Sequence, residues 1–152
     1  MSQIRVLLVD DSDDFLEVVS EWLTADPGIR IVGIAHTGQE AVDQVNKLEP
    51  DLVLMDVTMP GLNGFEATRM IKSKPGAPRV VLLTFHDSQT ARHEAWAAGA
   101  DDFLAKAQVT EGLLGVVKDV VAGRSAKESG TRAATPDDRG SKPLTKQGPP
   151  RE

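Results

Sequence analysis

The chain has 152 residues, 40% of them hydrophobic, with no cysteine and a formal net charge of −6. That length and apolar content allow one domain with a core. The lack of cysteine excludes a disulfide framework or a thiolate metal site, and no apolar stretch approaches membrane-spanning length. The opening residues run straight into a strand pattern with no signal-peptide signature, so a cytoplasmic protein without membrane association is expected. Charge is unevenly spread: residues 1–121 hold 10 Lys and Arg against 19 Asp and Glu, whereas residues 122–152 hold 7 against 4. An acidic globular part argues against direct nucleic-acid binding, which needs clustered basic residues.

Strand and helix patterns alternate five times. Ile4–Val9 reads as the first strand, and 13–24 as a helix with Phe15, Val18, Val19, Trp22 and Leu23 at helical spacing. Asp26, Pro27 and Gly28 make a turn before a second strand, Ile29–Ala35. Thr37 and Gly38 open a helix through Leu48, with Ala41, Val42, Val45 and Leu48 on one face. A third strand covers 51–56, a Pro- and Gly-rich loop follows, and the next helix runs to about Lys72. The fourth strand is Arg79–Thr84, and Ser88 is a fitting N-cap for a helix ending near Ala98 and Gly99. A fifth strand at 102–106 and a last helix at 110–122 complete the pattern. Short apolar runs without polar alternation are strands of a parallel sheet covered by helices on both faces. Residues 123–152 are dominated by Gly, Ser, Thr, Pro and charges, with Leu144 the only large aliphatic residue, and are expected to be a disordered tail after a domain of residues 1–122.

Four strand patterns stop at a polar residue, and ligands of such sheets bind beyond the carboxyl ends of the strands. Asp10, Asp11, Asp56, Thr84 and Lys106 are therefore expected to meet in one crevice. Adjacent carboxylates repel unless a hard cation neutralises them, and Mg²⁺ takes one or two carboxylates with water and phosphate oxygens. Asp11 or Ser12 is alternatively a simple helix cap. Asp56 is either a further metal ligand or a nucleophile forming an acyl phosphate. Thr84 is placed to hydrogen-bond a phosphoryl oxygen, unless it is merely a β-branched strand residue. Lys106 is placed to pair with Asp56 at rest and with a phosphoryl group after transfer.

These motifs give a resemblance. Over roughly residues 4–122 the chain resembles the receiver domain of bacterial two-component response regulators. The matches are Val9-Asp10-Asp11, the run from Leu54 through Asp56, Pro60 and Gly61 to Gly64, Leu83-Thr84, and the run from Gly99 to Lys106. The resemblance implies a flavodoxin-like (βα)5 doubly wound sheet with strand order 2-1-3-4-5. It implies that Asp56 is the phospho-acceptor and that Asp11, Asp56 and the backbone carbonyl of Thr58 bind Mg²⁺, with Asp10 acting largely through water. It makes Thr84 and Lys106 the residues that hold the phosphoryl group, and Thr84 and Phe103 the switch pair. Thr58 and His86 fall at positions that tune phosphoryl lifetime, and neither is a carboxylate or amide, so a long-lived phosphorylated state is expected.

The implied donor is a histidine kinase or phosphotransfer protein, with a downstream protein partner, and the chain is expected to be a monomer or a phosphorylation-dependent homodimer. It would catalyse only its own phosphorylation and dephosphorylation, as a signalling domain rather than an enzyme. Ala107 stands where many receivers have proline, which is similar to NarL-type receivers, yet no helix-turn-helix output pattern follows. The rival readings are a pseudo-receiver that binds partners without phosphorylation, and an aspartate-nucleophile phosphatase. The second is weakened because Thr58, not an acid, stands two residues after Asp56.

Overall fold

The computed structural model describes residues 3–123, so the tail expected at 123–152 lies, apart from its first residue, outside the described residues. Five strands alternate with five helices: β1 (Ile4–Val9), α1 (Asp13–Thr24), β2 (Ile29–Ala35), α2 (Gly38–Leu48), β3 (Leu52–Asp56), α3 (Gly64–Lys72), β4 (Arg79–Thr84), α4 (Gln89–Ala98), β5 (Asp102–Ala105) and α5 (Val109–Val121). All strand pairs are parallel, in the order β2-β1-β3-β4-β5, which is the flavodoxin-like arrangement.

Successive strand side chains point to opposite faces, and both faces are apolar. Val6, Leu8, Leu54, Val81 and Leu83 join Leu16, Val19, Leu23, Leu113 and Val117 on the side of α1 and α5. Leu7, Val9, Val53, Met55, Val80 and Leu82 pack on the other side with Ala41, Ala67, Ile71, Ala95 and Phe103. The central strand β3 is buried at every position, which is why its sequence shows no polar alternation.

The helices begin where the sequence offers a cap. Ser12, Thr37, Asn63 and Ser88 each accept a backbone N–H of the first turn, and Asn63 with Glu66 forms a reciprocal capping box. Gly99 ends α4 with a left-handed φ of 97° that favours glycine.

Two expectations shift. The stripe on α1 is narrower than its five apolar residues suggested: Val18 and Trp22 are 48% and 42% exposed, while Leu16, Val19 and Leu23 make the core contact. β5 stops at Ala105, because Lys106–Gln108 turns into a short 3₁₀ segment that leads into α5.

Candidate functional site

β1 and β3 are neighbours in the sheet, so their carboxyl ends bring Asp10, Asp11 and Asp56 side by side. One oxygen from each carboxylate lies within 4.8 Å of the others. Asp10 and Asp56 are buried and Asp11 is exposed, so the cluster opens to solvent on one side. Lys106 arrives from the end of β5 and is itself buried. Its Nζ lies 2.7 Å from Asp10 Oδ2 and 3.3 Å from Asp56 Oδ1. Lys106 is thus shared between the expected resting partner, Asp56, and Asp10, which makes the closer contact.

Backbone geometry holds these carboxylates in place. Asp10 Oδ1 accepts the Ser12 N–H at 2.9 Å, and Asp56 Oδ1 accepts the Thr58 N–H at 3.4 Å. Behind Asp56, Gly64 lets α3 approach the strand end. A Cβ on Gly64 would stand 2.4 Å from the Asp56 carbonyl oxygen and 2.8 Å from Val57 Cα, inside any tolerable contact. The Gly64 N–H donates to the Val57 carbonyl at 2.9 Å and closes the loop. The Pro- and Gly-rich segment after Asp56 is therefore a device for backbone proximity.

Burial pushes the Asp56 carboxyl above the usual carboxylate range, and the Asp10 charge adds to the effect against the pull of the Lys106 ammonium. One ammonium faces three carboxylates, so the cluster carries surplus negative charge. That donor set suits a hard divalent cation bound through oxygen.

Thr84, at the end of β4, is buried, but its hydroxyl is engaged with its own loop: it donates to the His86 carbonyl at 3.3 Å and accepts the His86 N–H at 3.1 Å. Thr58 and His86 are exposed residues of the loops that follow β3 and β4. Phe103 is buried in β5 on the α4 side of the sheet. Arg92 of α4 lies over its ring at 5.7 Å and makes a two-pronged bond to Asp87 at 2.7 and 2.6 Å, which keeps the guanidinium strongly basic. The loop after Thr84 is thereby tied to Phe103 through one arginine. Trp96 of α4 is partly buried and packs against the core.

Sequence reasoning missed two neighbours of Lys106. The rings of Phe15 and Phe85 each lie 4.3 Å from its Nζ, and Phe85 is 73% exposed. The available signal was a phenylalanine directly after the strand-end Thr84, among polar loop residues.

Known proteins resemble this chain in sequence and in fold. A family model described as "Response regulator receiver domain" matches residues 6–118. A protein-glutamate methylesterase/protein-glutamine glutaminase of Desulfotalea psychrophila is 35% identical over 150 residues, covering 91% of this chain and 41% of that protein. The chain thus spans about two fifths of that relative's length. Among solved structures, the signal receiver domain of the response regulator NarL from Mycobacterium tuberculosis superposes with a TM-score of 0.78 at 30% identity, covering 82% of this chain and all of that one. The response regulator domain of CheB from Thermotoga maritima gives a TM-score of 0.73 at 33% identity, over 79% of this chain and 97% of that one.

Proposed function

The chain belongs to the response regulator receiver domain family, and on that premise we propose that Asp56 is the phospho-acceptor of a Mg²⁺-dependent switch. The observation that carries this reading is the Lys106 ammonium between Asp10 and Asp56, at the rim of a three-carboxylate cluster. Asp11, Asp56 and the Thr58 carbonyl are the residues to hold Mg²⁺, with Asp10 supporting through water. When bound, the cation supplies neutralising charge for the phosphoryl oxygens.

The Asp56 carboxylate attacks the phosphorus of a donor in line. A new O–P bond forms as the donor's bond to phosphorus breaks, and its electron pair departs with the leaving group. Lys106 then takes up a phosphoryl oxygen and offsets the added charge. The Thr84 hydroxyl leaves the His86 carbonyl for the same phosphoryl group. That movement draws on the loop tied by Asp87 and Arg92 to Phe103, so the packing of α4 against β5 is the element that changes state. The donor is a histidine kinase or phosphotransfer protein, and the altered α4 and β5 face addresses a downstream protein. Thr58 and His86 leave the phosphoryl group without a side chain that would orient water, which favours a long-lived adduct.

Intact mass after incubation with Mg²⁺ and acetyl phosphate tests the assignment. A single phosphoryl adduct on the wild type, absent from Asp56→Asn and lost with chelator, is expected. An adduct that persists in Asp56→Asn, or none on the wild type, overturns it.

A further inference from the structure

We propose that Phe85 is a gate over the Lys106 ammonium that restricts the entry of water and small phosphodonors to Asp56. The inference rests on the reading of Asp56 as phospho-acceptor. Single exposed apolar residues are ordinary on protein surfaces, so exposure alone carries nothing. The position does. Although Phe85 is 73% exposed, its ring lies 4.3 Å from an ammonium whose own side chain is only 3% exposed.

The surroundings of that ammonium are nearly closed. An ammonium has three N–H donors and no acceptor. Asp10 and Asp56 take it from one side at 2.7 and 3.3 Å, and the rings of Phe15 and Phe85 stand at 4.3 Å each. A phosphoryl oxygen that is to reach Nζ must displace a carboxylate or a ring. The carboxylates are fixed at buried strand ends. Phe15 is half-buried in the first turn of α1, with its backbone N–H bonded to the capping Ser12 hydroxyl at 3.2 Å. Phe85 stands outside the helices, on the loop that Thr84 and His86 close with two bonds, and its ring faces solvent. It is the part of the enclosure able to swing away.

Two consequences follow from the same placement. At rest the ring occupies approach space beside Lys106, so a small anionic donor reacts slowly. After transfer, hydrolysis needs a water to attack phosphorus while the P–O bond to Asp56 breaks and its electron pair returns to the carboxylate. The ring excludes water from that side. Phe85 is also the residue next to Thr84, so movement of the Thr84 hydroxyl toward the phosphoryl group carries the ring with it.

The test follows intact mass over time for wild type, Phe85→Ala, Phe85→Leu and Phe85→Tyr, with Mg²⁺ and acetyl phosphate, then follows adduct decay after the donor is removed. Thermal unfolding of each variant accompanies the rates. Phe85→Ala is expected to speed both adduct formation and decay by roughly two- to fivefold, the scale of one exposed cation–π contact. Phe85→Leu falls between, and Phe85→Tyr, which keeps the ring, matches wild type. Equal rates across all four proteins, a rise in only one of the two rates, or a change in thermal midpoint without a change in rates overturns the gate and leaves the Asp56 assignment standing. No adduct on any of the four overturns both.

Discussion

Lys106 has more obligations than any other side chain of the site: two carboxylates and two aromatic rings meet one buried ammonium. Removing it by Lys106→Ala leaves Asp10 buried without its counter-charge, and a loss of about 3–5 kcal/mol is expected. Urea unfolding in the presence of chelator checks this. The opposite sign is expected at Asp56. Its carboxyl is held above the usual range by burial and by Asp10, so the folded state favours the protonated form. The ionised form subtracts from stability once pH rises through the folded value, and the cost is absent below the ordinary carboxylate range. Asp56→Asn should therefore raise stability at neutral pH. The gain should fade as pH is lowered into the acid range. Urea midpoints of the two proteins at neutral and acidic pH, with chelator, decide this. The strand-end acids and the lysine were legible because charge after an apolar run is conspicuous. Asp10 as the closer partner of Lys106 was not, since nothing in spacing tells which of two converging carboxylates lies nearer.

Elements are set by local signals that mostly agree with the final packing. Strands β1, β2 and β4 begin and end where their apolar runs do, and the caps at Ser12, Thr37 and Ser88 stand where a short polar residue precedes a helical repeat. The order β2-β1-β3-β4-β5 is a different matter. Periodicity shows that strands are parallel and covered, but not which lies beside which, and the order came from family resemblance. The exposure of Val18 and Trp22 was equally hidden. Helical spacing gathers residues into a broad arc, and the sheet covers only part of it. Gly64 offers the sharpest test at this scale. Gly64→Ala places a Cβ 2.4 Å from the Asp56 carbonyl, and the backbone of Asp56 or the start of α3 must give way. Loss of stability together with slower phosphorylation is expected, measured by thermal unfolding and adduct formation on one preparation. A loss of stability with unchanged phosphorylation would separate the packing role of Gly64 from any role in placing Asp56. Asn63→Ala, which removes half of the capping box, should cost about 1 kcal/mol without displacing Asp56.

At the scale of the whole molecule, a cation held by the carboxylate cluster would couple its binding to folding. Anything that binds the folded chain alone stabilises it by mass action, about 2.7 kcal/mol at a hundredfold excess over Kd. Mg²⁺ should raise the thermal midpoint of the wild type, and Asp11→Asn should lose most of that rise because Asp11 is the exposed acid of the cluster. Scans across a Mg²⁺ series on both proteins check it. The closest charge contact of the site, between Lys106 and Asp10, joins residues 96 positions apart. No fragment that lacks β5 can assemble the site, however well its first strands are formed. On the proposed reading of Asp56, phosphoryl transfer aided by Lys106 waits until β5 has docked. Competence of that kind would double as a certificate that the far edge of the sheet is in place.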